Sequence, residues 1–136
     1  MQLQAYLFFD GRCDEAINFY KRALGAEVVM LMRFKDTPPS APQMHSPEMA
    51  DRVMHARLRI GDATVFVSDG RCGGKPKFDG FSLSITAPTT AEAERLFAAL
   101  GEGGQVIMPM GQTFFSPRFG MVADRFGVPW QVIAEK

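Results

Sequence analysis

The sequence is poor in the residues that form disulfides, metal sites and membrane spans. Its two cysteines, Cys13 and Cys72, lie far apart and fit no metal-binding spacing, and only two histidines occur. We therefore interpret both cysteines as reduced thiols, although Arg71 and Lys75 beside Cys72 would favour its thiolate form. No apolar run is long enough to cross a bilayer, so we expect no membrane partner.

The sequence also lacks a net charge. Fifteen basic residues balance fifteen acidic ones, so no field attracts nucleic acid, and we expect none as a partner. The 46% hydrophobic and 22% charged residues are ordinary for a globular protein, and 136 residues suffice for one domain. Since no basic segment followed by an apolar core opens the chain, we expect a cytoplasmic protein.

What the sequence does contain is an internal repeat. Residues 1–70 and 79–136 each predict a strand, a helix and three further strands, and we expect these two modules to form a single domain, 1–136. The predicted strands are Ala5–Phe9, Glu27–Phe34, Val53–Ile60, Ala63–Ser68, Phe81–Thr86, Gln105–Met110, Met121–Asp124 and Val128–Ile133. One predicted helix follows Asp14 and ends at Gly25, and the other follows Thr89, which has capping-box spacing with Glu92.

Two connecting stretches stand out. Residues 35–51 contain four prolines and no periodicity, which predicts a long loop. Residues 112–135 contain Arg-Phe-Gly twice, so we predict two strands joined by a tight turn, in which Asp124 accepts backbone N–H groups. Trp130 follows this turn and is interpreted as a core residue. Two modules of this kind can pair their sheets and enclose a concavity, the usual place for a small-molecule site.

Several segments together resemble a known family. They are Ala16–Tyr20, Leu24–Ala26, Met54–Leu58, Ser68–Asp69, Gln112–Phe115 and Phe119–Trp130. They are similar to the PhnB-like branch of the vicinal-oxygen-chelate superfamily, which includes glyoxalases, bleomycin-resistance proteins and dioxygenases. PhnB-like proteins are often labelled 3-demethylubiquinone-9 3-methyltransferase-like. The resemblance implies an α+β fold of tandem βαβββ modules, a curved eight-stranded mixed sheet of the glyoxalase/bleomycin resistance type, and a homodimer.

The resemblance also bears on cofactors. Metal-dependent relatives take His and Glu ligands from the first and fourth strands of each module, and the matching positions here are Ala5 (or Gln4, with a shift of one residue), Phe66, Gly80 and Gln131. None of these side chains is an imidazole or a carboxylate, so we expect no metal and no other cofactor. Methyl transfer finds no support either, because the glycine cluster Gly101–Gly104 follows a predicted helix instead of opening one after a strand.

Six residues are candidates for binding a ligand: His55, Asp69, Gln112, Phe114, Phe115 and Arg118. His55 suits a general base or a hydrogen-bond donor, or else a half-buried structural histidine. Asp69 could orient a polar ligand or cap a turn. Gln112, Phe114 and Phe115 resemble the family's pocket wall, offering donors, an acceptor and stacking surface.

The guanidinium of Arg118 suits a carboxylate or phosphate, or a surface ion pair. The function predicted from all these features is the binding of a small organic molecule by a metal-free PhnB-like homodimer. Two alternatives stay open, namely a metal-dependent lyase, isomerase or dioxygenase of the same superfamily, and a structural module whose pocket is filled. Whether the protein is an enzyme is left undecided, and no catalytic residue is assigned.

Overall fold

The computed structural model of the protein describes residues 1–38, 47–70 and 75–136. These residues divide into two compact units, Met1–Pro76 and Lys77–Lys136. Part of the predicted loop 35–51 lies outside the described residues, as does Cys72 with its neighbour Arg71. The described ends of that loop form two short 3-10 turns, Phe34–Asp36 and Pro47–Met49.

The first unit contains one helix and a four-stranded mixed sheet. Its elements are β1 (Tyr6–Phe8), α1 (Cys13–Leu24), β2 (Glu27–Arg33), β3 (Val53–Ile60) and β4 (Ala63–Ser68). The strand order is β1-β4-β3-β2, in which β1 runs parallel to β4 and the other pairs are antiparallel. The predicted strands Val53–Ile60 and Ala63–Ser68 are confirmed, and Gly61 and Asp62 join them as an antiparallel hairpin.

The second unit repeats this arrangement. Its elements are β5 (Leu83–Ala87), α2 (Thr90–Gly101), β6 (Gln105–Gly111), β7 (Phe119–Ala123) and β8 (Pro129–Ala134). The strand order is β5-β8-β7-β6, with β5 parallel to β8. Both predicted βαβββ modules and the α+β class are thus confirmed, and the eight strands form two four-stranded mixed sheets. The pairing of the modules into one domain stays a prediction.

Each helix buries an apolar stripe because its small and aromatic residues recur at helical spacing. In α1 the stripe packs near β3, whose Ala56 and Leu58 are fully buried, as is Val67 of β4. The buried residues of α1 are Cys13, Ala16, Ile17, Phe19, Tyr20 and Ala23. Burial of a side chain such as Leu58 contributes about 2 kcal/mol to folding. Burial also raises the pKa of the Cys13 thiol, which keeps that cysteine protonated and unreactive.

The helix ends follow the predicted chemistry. Gly25 closes α1 in the left-handed conformation, at φ 67°, and its N–H donates to the Lys21 carbonyl oxygen. The Thr89 hydroxyl oxygen opens α2 by accepting from the Glu92 N–H at 3.2 Å. The Glu92 carboxylate, expected to complete a capping box, instead pairs with Arg95. Within the described residues, no helix is long and apolar enough to cross a membrane.

Candidate functional site

The face of the first sheet opposite its buried core carries a cluster of rings. Strand alternation places Tyr6 and Phe8 on this face, and the pairing of Tyr6 with Phe66 adds β4. Four side chains, Tyr6, Phe8, His55 and Phe66, form what we call the aromatic face. Tyr6 stacks on Phe8 with ring centroids 4.8 Å apart, and His55 lies 5.2 Å from Phe66. Tyr6 and Phe8 remain 41% and 38% exposed, so the rings offer a surface for contact.

A hydrogen bond joins the two polar members of the aromatic face. The Tyr6 hydroxyl lies 2.7 Å from Nδ1 of His55. Burial lowers the pKa of His55, and the charge of Arg57 lowers it further, so the imidazole is neutral at pH 7. Burial raises the pKa of Tyr6, which keeps its proton. We assign the Tyr6 phenol as the donor, because a neutral imidazole nitrogen is the better acceptor. The ring proton of His55 then lies on Nε2, and this N–H does not take part in the bond to Tyr6.

Gly70 lets the backbone approach the aromatic face. It has φ +46°, and a Cβ built there would lie 2.2 Å from Cδ1 of Phe8. No side chain fits at that separation, so a glycine is required for the Phe8 ring to keep its place. Gly70, two residues after the end of β4, therefore packs directly against the Phe8 ring of β1.

Asp69 follows β4 but is buried, with 1% exposure. Its Oδ1 accepts from the N–H groups of Gly11 and Cys13, at 2.6 and 2.9 Å, and its Oδ2 accepts from the Val53 N–H at 3.0 Å. The carboxylate thus binds the start of α1 to the start of β3. These contacts occupy both oxygens, so a capping function explains Asp69 better than contact with a ligand.

The segment between β6 and β7 holds three more candidates. Gln112, Phe114 and Phe115 are exposed, and Phe114 is fully so. The Phe114 and Phe115 rings meet edge to face at 5.2 Å, and Phe115 meets Phe119 of β7 at the same separation. The turn that presents them is closed by Ser116, whose N–H donates to the Thr113 hydroxyl at 3.0 Å. The two rings are therefore exposed in the second unit, and their role in binding a ligand stays a prediction.

Arg118 is engaged within its own unit. Its Nε donates to the Glu94 carboxylate on α2 at 2.9 Å, and a second nitrogen lies 2.8 Å from the same oxygen. This is the ion pair that the sequence left open as the alternative to ligand binding. An anionic ligand would have to compete with Glu94 for this guanidinium.

The turn between β7 and β8 has the predicted structural chemistry. Asp124 Oδ1 accepts from the N–H groups of Phe126 and Val128, at 2.9 and 3.1 Å. Its Oδ2 accepts from Nε1 of Trp130 at 2.9 Å, and Trp130 is 3% exposed. The interpretation of Asp124 as a turn acceptor and of Trp130 as a core residue is confirmed.

The side chains at the superfamily's metal positions do not fit a divalent ion. Phe66 belongs to the aromatic face, and Gln131 of β8 pairs with Ser84 and Met121, none of which is an imidazole or a carboxylate. Within residues 1–38, 47–70 and 75–136, no group of three or more His, Cys, Asp or Glu side chains could hold a metal.

A family model decides the relationship of the whole chain. The model described as 3-demethylubiquinone-9 3-methyltransferase matches residues 1–133. The chain belongs to this PhnB-like family. The name is the description of the family. Gly101 is the last residue of α2, so the Gly101–Gly104 cluster ends a helix and precedes β6.

Relatives of the PhnB-like family match nearly the full chain. Protein YjdN of Escherichia coli K12 is 36% identical, over 97% of this chain and 94% of its own. The crystal structure of PA1353 from Pseudomonas aeruginosa is 40% identical with a TM-score of 0.86, covering 99% of this chain and 98% of that one. The PhnB protein from Bacillus cereus is 27% identical with a TM-score of 0.80, covering 98% and 99%.

A more distant structure establishes the fold alone. The glyoxylase/bleomycin resistance protein/dioxygenase domain from Frankia sp. EAN1pec is 13% identical, with a TM-score of 0.71 over 100% of this chain and 98% of that one. Since the architecture persists at such low identity, the predicted glyoxalase/bleomycin resistance fold is confirmed. The chemistry must still be argued from the residues of this chain.

Sequence reasoning identified His55 but missed its neighbours. The sequence places Tyr6 and Phe8 in a predicted strand without a role at a site, and Phe66 only at a position where metal-dependent relatives have a ligand. Arg57 is not among the six candidates. The available signal was the alternation of Tyr6 and Phe8 along β1. What the sequence lacked was the pairing of β1 with β4, which brings Tyr6 beside Phe66.

Proposed function

We propose that the protein binds a small organic molecule with a planar ring on the aromatic face. The main support for this proposal is that the Tyr6 and Phe8 rings stack on each other while each side chain stays more than a third exposed. A ring left half-exposed in a cluster has unused contact surface, and aromatic stacking contributes about 0.5–1.5 kcal/mol per pair beyond area burial. Apolar walls with a few polar groups are the usual composition of a small-molecule site.

The exposed rings of the second unit support the same class of ligand. Phe114 and Phe115 present an edge-to-face pair, and Gln112 beside them supplies amide donors and an acceptor. We assign them a binding role in parallel with His55. Asp69 and Arg118 take structural parts in this proposal, because their polar atoms already have partners in the fold.

We further propose that the protein acts as a cytoplasmic homodimer. The edge strands β2 and β6 support the dimer because both expose apolar side chains: Val28, Val29, Val106, Ile107 and Met108. Exposed apolar edge strands favour association with a second chain. Sedimentation equilibrium would give twice the 15.0 kDa chain mass if this is correct, and a single chain mass at every concentration would contradict it.

A thermal-shift screen tests the binding proposal. A library pairing aromatic with saturated-ring compounds is measured against the wild-type chain, Phe8→Ala and Phe81→Ala. Phe81 is a matched control, because it is 44% exposed and lies in the other unit. Aromatic ligands should raise the melting temperature of the wild type and of Phe81→Ala by mass action, and raise that of Phe8→Ala less. Equal shifts in both variants, or no shift with any compound, would refute the proposal.

One observation favours catalysis as a second function. The Tyr6–His55 hydrogen bond couples a phenol to a neutral imidazole, and while Tyr6 orients the ring the Nε2–H of His55 can donate to an oxygen on which negative charge develops during a reaction. His55→Gln would then abolish turnover of a bound ligand while leaving its affinity within about threefold of the wild type. Unchanged chemical composition of every bound ligand after long incubation would contradict this function.

A further inference from the structure

One arginine of the first unit has neither an ion pair nor a ring contact among the described residues. Of the arginines that the structure describes, seven pair with carboxylates and Arg22 lies over the ring of Phe19. The seven pairs are Arg12–Glu15, Arg33–Asp14, Arg52–Asp10, Arg59–Glu27, Arg95–Glu92, Arg118–Glu94 and Arg125–Glu102. Arg57 alone has neither a carboxylate nor a ring within residues 1–38, 47–70 and 75–136. Its charge is therefore available to a ligand.

The sheet register places Arg57 beside the aromatic face. On β3 it is paired with Phe66 of β4 on one side and with Met30 of β2 on the other. Directly paired residues project from the same face of a sheet, as do residues two apart on a strand, so Arg57 shares its face with Phe66 and His55. Burial lowers the pKa of His55, and the nearby charge of Arg57 lowers it further, as expected for two groups on one face of a strand.

His55 adds a second, neutral donor. Because Tyr6 donates to Nδ1, the remaining ring proton of His55 lies on Nε2 and can be donated to an acceptor on a ligand. The Glu27 carboxylate, which the register places on the same face, is paired with Arg59. The face thus combines an uncompensated guanidinium, an N–H donor and three phenyl-type rings.

We infer that the aromatic face of the first unit recognises an aromatic carboxylic acid, with Arg57 binding its carboxylate and the rings stacking on its ring system. The inference rests on the proposed binding function and adds the chemical class of the ligand. A guanidinium matches a carboxylate through two parallel hydrogen bonds, and such charge-assisted bonds are about twice as strong as neutral ones. His55 donates to the same carboxylate or to a neighbouring oxygen.

The test compares an aromatic acid with its neutral isostere. Naphthoate and naphthamide are titrated into the wild type, Arg57→Gln and Arg59→Gln, with binding followed by backbone amide shifts of β1, β3 and β4 in NMR spectra. Arg59 is the matched control because it lies two residues further along β3, on the same face, but pairs with Glu27. Far-UV circular dichroism verifies that each variant folds, which the exposed position of Arg57 favours.

Each outcome decides the inference. Naphthoate should bind the wild type and Arg59→Gln at least tenfold more tightly than naphthamide, and Arg57→Gln should lose about ten- to a hundredfold for naphthoate alone. Equal affinity for naphthoate and naphthamide in the wild type would overturn the inference and leave the proposed binding of planar molecules intact. Equal losses in the two arginine variants would also overturn it. Amide shifts with neither probe would overturn both.

Discussion

Removal of the Asp69 charge provides the sharpest stability test of the first unit. In Asp69→Asn the remaining carbonyl oxygen can still accept from Gly11 and Cys13, but the new amide group faces the Val53 N–H, which is itself a donor. The variant therefore loses one charge-assisted hydrogen bond, leaves a buried donor without a partner and weakens two further bonds. Shape and volume hardly change.

The magnitude follows from these contacts. A buried donor left without a partner costs about 1–3 kcal/mol, and exchanging a charged for a neutral acceptor costs roughly a further 0.5–1 kcal/mol for each remaining bond. We expect Asp69→Asn to lower the free energy of unfolding by about 3 kcal/mol. Asp69→Ala, which leaves all three N–H groups unpaired, should lower it by about 5 kcal/mol. A loss of 3 kcal/mol corresponds to roughly 10 °C in melting temperature for a chain of this size.

Urea denaturation followed by circular dichroism measures the loss, and amide exchange locates it. The N–H groups of Gly11, Cys13 and Val53 should exchange faster in Asp69→Asn than in the wild type. Asp62→Asn is the control, because Asp62 lies in the exposed β3–β4 turn and should change stability by less than about 0.5 kcal/mol. A loss below 1 kcal/mol for Asp69→Asn, or one equal to that of Asp62→Asn, would refute the structural role and return Asp69 to the ligand-binding candidates.

Three further substitutions test other parts of the structure. Gly104→Ala would place a Cβ 2.2 Å from the Ala123 carbonyl oxygen and should lower the free energy of unfolding, measured by urea denaturation, by about 2–3 kcal/mol. In the control Gly101→Ala the new Cβ makes an ordinary contact, so the loss should be less than about 0.5 kcal/mol. Equal losses would contradict the close approach of Gly104 to Ala123. Thr89→Ala removes the acceptor at the start of α2 and should cost about 1 kcal/mol in thermal melts, while Thr89→Ser should retain most of the stability. The pKa of His55 is lower in the folded than in the unfolded chain, so its contribution to stability is present above about pH 6.5 and is lost as pH falls through the folded value. His55→Gln should therefore flatten the decline in stability below that pH, and parallel pH profiles for variant and wild type would contradict this assignment.

The repeat and its elements were readable because they depend on local pattern. The strand alternation of Val53–Ile60 and the apolar stripe of α2 each follow from residues a few positions apart. The strand ends lie within two residues of their predicted positions, as for β1, which is Tyr6–Phe8 where Ala5–Phe9 was predicted. The Glu92 half of the capping box was wrong, since Arg95 one turn further along α2 competes for the same carboxylate.

The candidate site was readable only in part, for a physical reason. The residue types of His55, Phe114 and Phe115 marked them as candidates, but the partners of a side chain depend on contacts between distant parts of the chain. In the sequence, Asp69 follows a predicted strand and His55 lies within one. In the structure, Asp69 is buried and accepts from three backbone N–H groups, whereas His55 lies on the aromatic face. Burial of this kind depends on which helix covers which face of a sheet.

By itself the sequence determined two βαβββ modules, their apolar faces and the family to which the chain belongs, since all three are encoded in residue spacing. Tertiary structure decided which side chains meet on the aromatic face. Tyr6 meets His55 across 49 residues because β1 joins the sheet beside β4. On β3, the register with β2 sets Arg59 opposite Glu27 but Arg57 opposite Met30, so one charge is neutralised and the other is left for a ligand.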